Sequence, residues 1–381
     1  MTATETLKHL YLHREMRAKE LKEEGLKVVG YFCCLVPEEI FSAFGLVPFR
    51  LQGSQRDVID RADAYIEPMA CPFARSCFNR ALKGEYDFLD AFVAPHSCDT
   101  IDRIYSIWFH NHPADFNHLL NVPHMRERGA VDFFRAELAY LIKGLEEWTG
   151  RPINEEKLRS AIHLSNRKRN LLRELYEMRK HNPPPVSGAE VMEVMVAGMG
   201  LPVAEYVELL ERYLEEVRWR KVGGPPEPRL FIWGNEIDDS AFIQLIEESG
   251  AMVVMDDLCT GSRSFWHEVP ETADPLMDIA QRYLSIPCPR SNFTLTGNRK
   301  QDLENRFGYI GEFVEAWKVD GAIFYIIRYC DTCELEGPDL RDYLKEKGIP
   351  VLMLEDDYSL VTIGQLRTRI QAFLEMIGEV V

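Results

Sequence analysis

The stretch from Gly321 to Asp357, GAIFYIIRYCDTCELEGPDLRDYLKEKGIPVLMLEDD, decides the predicted fold of this chain. Its first part, Ala322 to Tyr329, is apolar, β-branched and aromatic, with Arg328 as the single interruption. A run of this kind is typical of a strand that is buried on both faces, as in a parallel sheet.

The cysteine segment CDTC, from Cys330 to Cys333, follows this strand directly. A helix is expected to begin at Pro338 and to end before Gly348, because proline favours the first helical turn and glycine the C-terminal cap. Val351 to Leu354 reads as a second buried strand. The stretch is therefore a β-α-β unit with a cysteine at the carboxyl end of its first strand, where open α/β sheets bind ligands.

The chain has 381 residues, a formal net charge of −17 and a pI near 5.1. This length predicts two or three domains. The acidic balance argues against binding to nucleic acid or to anionic membranes. No run of about 18 apolar residues is present, and the polar N-terminus does not resemble a secretory signal, so we expect a cytoplasmic protein.

Strand and helix patterns alternate in two separate parts of the chain, with four strand candidates in each part. We expect an α/β protein with two doubly wound lobes, mostly parallel sheets and a helical segment between them. The expected division is an N-terminal lobe with its leading helix at 1–130, a helical segment at 131–222 and a C-terminal lobe at 223–381. The segment from Gly223 to Pro228, GGPPEP, is the expected linker.

Nine cysteines occur in this sequence, and disulfides are rare in the expected compartment. Six of them fall where predicted strands end or helices begin, whereas cysteines that only fill a core would lie within elements as often. The four that follow strands are Cys33, Cys98, Cys259 and Cys330, and the two beside prolines are Cys71 and Cys288. Thiolates that converge in a dry cleft suit a soft metal, above all an iron–sulfur cluster.

Other interpretations of the cysteines stay open. Any one of them can be a small buried apolar residue, and Cys330-x-x-Cys333 can be a thiol redox motif. Zinc is disfavoured, since no second CxxC pair accompanies the first and the histidines lack ligand spacing. Cys34 and Cys77 are expected to be buried or close to a cluster. No dinucleotide or P-loop glycine motif supports a nucleotide site.

Polar residues beside these cysteines are further site candidates. Arg263 can bind an anionic substrate or a cluster sulfide, or it can form a surface salt bridge. Asp99 and Asp331 directly follow cysteines and are expected to cap the next helices. His96 lies two residues before Cys98 and is either close to the site or an exposed loop histidine.

Several of these segments resemble the 2-hydroxyacyl-CoA dehydratase and benzoyl-CoA reductase family, over nearly the whole chain. They are GYFCCLVPEEIFSAFG from Gly30, Cys71-Pro72, SCDT from Ser97, YCD from Tyr329, and the ending from Gly364 to Glu375. The resemblance implies two Rossmann-like lobes and a [4Fe-4S] cluster held by Cys71, Cys98 and Cys330. It also implies a separate homodimeric iron–sulfur ATPase that donates low-potential electrons.

Three further segments resemble the branch of this family called double-cubane cluster proteins. They are GYFC ending at Cys33, DLCTG around Cys259 and SIPC ending at Cys288. The resemblance implies that six cysteines, Cys33, Cys71, Cys98, Cys259, Cys288 and Cys330, bind an [8Fe-9S] double cubane. Because Cys34 adjoins Cys33, the sequence leaves open which of the two is the ligand.

These observations predict a cytoplasmic iron–sulfur reductase component that takes electrons from the ATP-hydrolysing activator and reduces a small substrate at the cluster. A homodimer is expected, because the activator is itself two-fold symmetric. The first alternative is a dehydratase or benzoyl-CoA reductase-type subunit with one [4Fe-4S] cluster and a CoA thioester substrate. The second is a metal-free structural or thiol redox protein.

Overall fold

The computed structural model describes residues 1–220, 227–291 and 295–378, and two parallel β-sheets organise them. The first sheet contains β1 (Val28–Tyr31), β2 (Val47–Arg50), β3 (Ala91–Pro95) and β4 (Phe116–Leu120). The second contains β5 (Arg229–Gly234), β6 (Met252–Asp257), β7 (Gly321–Ile327) and β8 (Val351–Asp356). The predicted α/β class with two lobes is confirmed.

The two sheets share one topology. Their strand orders are β2-β1-β3-β4 and β6-β5-β7-β8, and every neighbouring pair is parallel. In each sheet the chain first moves to one side of the inner strand and then crosses to the other side. This creates a switch point between β1 and β3 and another between β5 and β7, and ligands bind outside the carboxyl ends of strands at such points.

Helices connect the strands and cover the sheets. They are α1 (Ala3–Leu12), α2 (Arg14–Glu23), α3 (Glu38–Ala43), α4 (Pro72–Leu82), α5 (Asp99–Asn111), α6 (Arg128–Thr149), α7 (Glu155–Met178), α8 (Gly188–Gly198), α9 (Val203–Val217), α10 (Ala241–Glu248), α11 (Ser262–Phe265), α12 (Pro275–Ser285), α13 (Arg299–Ala316), α14 (Asp331–Glu346) and α15 (Ile363–Gly378). No helix in this described part of the chain is long and apolar enough to cross a membrane.

The two lobes share a continuous apolar core. Alternate residues of a strand point to opposite faces, so each sheet divides its side chains between two clusters. Leu230 and Ile232 of β5 and Phe92 of β3 belong to the shared cluster, whereas Phe231 and Trp233 of β5 face a cluster on the far side of the second sheet. The lobes therefore form one packed body with a cleft at the strand ends.

The helices α6 to α9 pack against both lobes. α6 contacts β4 of the first sheet and α12 of the second lobe, and α7 contacts α3 and α11. α8 packs on β6 and α10. The expected domain boundaries at 130 and 222 stay a prediction, and Gly223 to Pro226 of the expected linker lie outside the described residues.

Two helix predictions are wrong in detail. The leading helix is interrupted at His13, which separates α1 from α2. Pro338 lies inside α14 instead of at its start, because the helix already begins at Asp331. The carbonyl of Cys330 accepts hydrogen bonds from the backbone N–H groups of Cys333 and Glu334, and acidic residues in this first turn favour a helix N-terminus. A proline in a helix interior reduces helix stability by about 3 kcal/mol. We infer that the packing of α14 offsets this loss and keeps the helix continuous.

A buried ion pair connects α3 of the first lobe to α7. The carboxylate of Glu39 is fully buried and accepts a hydrogen bond from Arg169, which is also buried. The hydroxyl of Tyr283, on α12, donates to the second carboxylate oxygen at 2.8 Å. Burial alone would raise the pKa of Glu39, but Arg169 and Arg282 outweigh it and lower the pKa to about 2.

We expect Glu39→Gln to reduce the free energy of unfolding by about 3 kcal/mol at pH 7, because Arg169 then remains buried without a counter-charge. The pKa of Glu39 is lower in the folded protein than in the unfolded chain, where it is about 4.3. The stabilisation by the ion pair is therefore fully present above about pH 4.3 and is lost as the pH falls through about 2. Urea denaturation at neutral and acidic pH measures both effects. Glu155→Gln, in an exposed pair with Arg159, is the control and should cost less than about 1 kcal/mol. An equal loss in both variants would contradict this account.

Candidate iron–sulfur site

Three of the six candidate cysteines stand at helix N-termini. Cys71, Cys98 and Cys330 are the N-cap residues of α4, α5 and α14, respectively. Two of these helices begin directly after strands, so the thiols lie at the carboxyl end of the sheet. The free backbone N–H groups of a helix N-terminus carry partial positive charge, which favours thiolate over thiol.

The other three candidates lie in loops. Cys33 follows β1 and has a φ of 63°, in the left-handed region that side chains rarely adopt. Cys259 follows β6 and precedes the short helix α11, and Cys288 follows the end of α12. The left-handed backbone at Cys33 directs its thiol toward the second lobe.

All six cysteines line one cavity between the lobes, which is partly open to solvent. Cys33, Cys71 and Cys98 come from the first lobe, and Cys259, Cys288 and Cys330 from the second. The structure therefore brings together every cysteine that the sequence singled out. Their role as ligands stays a prediction.

The thiols fall into two groups by the cysteines with which each interacts electrostatically. We call Cys71, Cys98 and Cys330 the first cysteine set, because Cys71 has Cys330 and Cys98 as neighbours and Cys98 has Cys330. The second cysteine set is Cys33, Cys259 and Cys288, since Cys259 hydrogen-bonds with Cys33 and neighbours Cys288. Each set contains cysteines from both lobes.

Neighbouring hydrogen bonds shift the pKa values within each set. A hydrogen bond with Cys333 lowers the pKa of Cys330 to about 6. Hydrogen bonds with Cys33 and Cys34 lower the pKa of Cys259 well below its usual value. Burial raises the pKa of Cys98 to about 11. Each set thus contains one thiol with a lowered pKa among thiols with a raised pKa.

Cys33 and Cys34 face different spaces. Cys33 lines the interlobe cavity, whereas Cys34 is buried and lines a separate small pocket with Arg50 and Tyr283. Cys77 is fully buried within α4, as expected. The geometry favours Cys33 as the residue that can reach a group in the cavity.

Three lining residues were not found from the sequence. Asn235 faces the cavity and hydrogen-bonds with Cys330, and Glu236 and Arg290 also line it. Cys333, the second cysteine of the candidate redox motif, lines the cavity as well. Asn235 and Glu236 directly follow β5, so the rule that located the cysteines at strand ends would have found them too. Arg290 follows Cys288 by two residues, and no sequence pattern marks it as a site residue.

One interpretation of the sequence placed Arg263 in a surface salt bridge, and that interpretation is wrong. Arg263 is buried and binds Asp257 through two hydrogen bonds of 3.0 and 2.7 Å. Its Nη1 atom donates to the carbonyl of Gly234 at 2.7 Å and lies 3.7 Å from the sulfur of Cys259. The guanidinium is therefore fixed beside a candidate ligand.

The capping prediction for Asp99 and Asp331 is wrong. Each aspartate occupies the first helical position, the preceding cysteine is the N-cap, and neither helix has a side-chain cap. Their charges still favour the helix N-terminus from the first turn. His96 is half-buried, with its ring centroid 6.1 Å from that of His124, and it does not line the cavity.

The donor set fits an iron–sulfur cluster better than a single metal ion. Within residues 1–220, 227–291 and 295–378, no three His, Cys, Asp or Glu side chains lie close enough to hold one ion. The cysteines of a cubane each bind a different iron atom, so they need not converge on one point. The cavity is lined by six soft thiols from both lobes, which suit a multi-iron group.

The fold and site define a two-lobed α/β protein with a cysteine-lined cavity between its lobes. The family model for the 2-hydroxyglutaryl-CoA dehydratase D-component matches residues 33–377, so the chain belongs to this family. This match confirms the resemblance identified in the sequence. Members of the family are dehydratases and reductases that act on CoA thioesters.

Similar proteins support the same assignment. A putative dehydratase subunit, YjiM, of Escherichia coli is 30% identical, covering 94% of this chain and 93% of the relative. A benzoyl-CoA reductase subunit of Thauera aromatica is 28% identical, covering 88% and 87%. The (R)-phenyllactyl-CoA dehydratase beta subunit of Clostridium sporogenes is 25% identical, covering 94% and 93%. All three are named as subunits, so the family contains multi-subunit enzymes.

Gly261 is required for the turn that carries Cys259. A Cβ at Gly261 would lie 1.9 Å from Oδ1 of Asp256, a carboxylate that already accepts hydrogen bonds from Tyr176 and the Ser262 backbone. We expect Gly261→Ala to cost about 2 kcal/mol of unfolding free energy, as overpacking does in other cores. Urea denaturation measures this loss, and faster alkylation of Cys259 in the metal-free chain would report the displaced loop.

Gly129→Ala is the matched control, because a Cβ there meets no atom within 4 Å. It should change the free energy of unfolding by less than about 0.5 kcal/mol. Equal stability of the two alanine variants would contradict this prediction. It would mean that Asp256 can move away from the added Cβ despite its hydrogen bonds.

Proposed function

We propose that this chain is the cluster-bearing component of an iron–sulfur reductase, which receives low-potential electrons from an ATP-hydrolysing iron–sulfur activator and reduces a small substrate in the interlobe cleft. The observation that carries the proposal is the convergence of six cysteines from both lobes on one cavity. A protein with only core cysteines would have no reason to place them at strand and helix ends.

The proposed cofactor is an [8Fe-9S] double cubane held by Cys33, Cys71, Cys98, Cys259, Cys288 and Cys330. The two cysteine sets support this choice over a single cubane, because each provides three thiols for one half of such a cluster. When bound, the cluster supplies single electrons at low potential.

The protein's own residues would hold and shield this site. Helix N-termini stabilise negative charge at the first cysteine set, and Asn235 hydrogen-bonds with Cys330. Phe32, Phe73 and Ile327 line the cavity with apolar surface, which excludes water and strengthens the electrostatic interactions inside. Arg263, paired with Asp257, is held in place beside Cys259.

The alternative function is that of a component of a 2-hydroxyacyl-CoA dehydratase or a benzoyl-CoA reductase-type enzyme, with one [4Fe-4S] cluster on Cys71, Cys98 and Cys330. The names of the similar proteins favour this alternative. In that case the substrate would be a CoA thioester, and the second cysteine set would have no ligand role. The iron content separates the two functions.

The proposed assembly is a cytoplasmic homodimer that works without oxygen and meets a homodimeric activator. The names of the relatives support a multi-component enzyme, and two-fold symmetric partners match each other in geometry. The net charge of −17 disfavours nucleic acid and anionic membranes as further partners.

Purified without oxygen, the chain should contain about eight irons, and Cys259→Ser and Cys288→Ser should each lower this toward about four, because three thiols support each cubane. Iron and acid-labile sulfide analysis measures the change. Cys33→Ser should behave like these two variants.

Cys77→Ala is the matched control, since its thiol is fully buried but does not line the cavity. This variant should keep the full iron content. Unchanged iron in Cys259→Ser and Cys288→Ser would eliminate the second set as ligands and leave the single-cluster alternative.

Electron transfer from the activator is the second test. Mixing the anaerobic chain with a reduced activator of this family and MgATP should reduce its cluster, seen as an absorbance change and a paramagnetic signal. A non-hydrolysable ATP analogue should prevent this reduction, because hydrolysis is needed to lower the potential of the donated electron. Equal reduction rates with and without ATP would contradict the proposed role.

A further inference from the structure

The two cysteine sets receive positive charge from different sources. The first set stands on the N-termini of α4, α5 and α14. The second set, Cys33, Cys259 and Cys288, caps no described helix, and its charged neighbours are the buried arginines Arg50, Arg263 and Arg290. A role for these arginines in holding a cluster rests on the proposed function, in which both sets bind iron.

Two of these arginines already have carboxylate partners. Arg263 binds Asp257 through two hydrogen bonds. Arg50 binds Glu236, with its Nη2 atom 2.7 Å and 2.9 Å from the two carboxylate oxygens. Both arginines are thus held by carboxylates in buried pairs.

Arg290 differs from both of them. It is only 5% exposed and lines the cavity, yet no carboxylate in the described segments pairs with it. Its Nη2 atom donates to the carbonyls of His96 and Val122 at 3.2 and 2.6 Å, and its Nη1 atom to that of Pro123 at 3.2 Å. Its Nε atom is buried without a partner in the same segments.

The guanidinium of Arg290 is buried and hydrogen-bonded only to neutral carbonyls, so its full positive charge is removed from water. Burying such a charge is unfavourable unless an anion lies nearby. The thiols that interact with Arg290 most strongly are Cys288 and Cys33 of the second set, followed by Cys98 of the first set. In the proposed function, the sulfide-rich group bound by these thiols would supply the anion. We propose that the unpaired charge of Arg290 is the counter-charge of the second cysteine set and stabilises the anionic half-cluster there.

The same residue also connects the lobes. Arg290 belongs to the Cys288 loop of the second lobe, while its three acceptor carbonyls belong to the first lobe. The ring nitrogen Nδ1 of His124 in turn donates to the Arg290 carbonyl at 2.8 Å. Arg290 is therefore a positioning residue that sets both the charge and the location of the Cys288 loop.

The test compares Arg290→Gln, which removes the charge, with Arg290→Lys, which keeps it. Iron and sulfide content and the midpoint potential are measured on the anaerobically purified chains. Arg290→Gln should either lose up to half of the iron or, with the cluster retained, show a more negative midpoint potential, because a lost cation disfavours the reduced, more anionic form. Arg290→Lys should stay close to the wild type in both measurements.

Arg229 supplies the matched control. It is also buried and its side chain donates to three carbonyls, those of Trp317, His181 and Arg179, but it lies at the amino end of β5, away from the cavity. Arg229→Gln should leave the iron content per folded chain and the potential unchanged. An equal change in Arg229→Gln and Arg290→Gln would overturn the assignment, because the effect would then reflect general stability.

Two more outcomes would overturn the inference. One is an Arg290→Gln chain with unchanged iron and unchanged potential. The other is an Arg290→Lys chain as impaired as Arg290→Gln, which would make the planar hydrogen-bonding fork, and not the charge, essential. A wild type with about four irons would instead refute the double-cubane function itself, so the two failures are distinguishable.

Discussion

The hydrogen-bonded contact of Arg50 with the second lobe is the interaction on which the cleft depends. Arg50 is the last residue of β2, and its guanidinium reaches both Glu236 and the carbonyl of Cys259, at 2.7 and 2.9 Å. A first-lobe side chain thereby fixes the loop that carries a second-lobe cysteine. Because Arg50 is buried, the loss of Glu236 would leave its guanidinium without a carboxylate partner, and this favours the observed arrangement of the lobes.

The repeated topology of the sheets explains why the site lies between them. Two sheets with the same strand order present their carboxyl ends to one cleft, and each contributes three cysteines. The surroundings nevertheless differ, since Cys71, Cys98 and Cys330 lie at helix N-termini and the other three have buried arginines as charged neighbours. Positive charge thus comes from backbone dipoles at one set and from side chains at the other, and substitution can alter the side-chain charges separately.

Much of the fold could be predicted because buried parallel strands have an unmistakable composition, and the strands near Ala322 and Val351 were located within a few residues. Helix starts were harder. Pro338 was a misleading start signal, since packing of α14 tolerated an interior proline. Arg263 could not be recognised as buried from the sequence, because its partner Asp257 and its neighbour Cys259 meet only through the turn at Gly261.

The sequence by itself determined the α/β class, the family and the six cysteines at strand and helix ends, because local composition and short motifs carry that information. The tertiary structure alone decided that Cys33 and not Cys34 faces the cavity, since a left-handed φ at Cys33 sets the direction of the chain. It also decided that the thiols fall into two sets and that Arg290 lies beside one of them with no carboxylate partner among the described residues. Such relations depend on which distant segments pack together, and no local pattern records them.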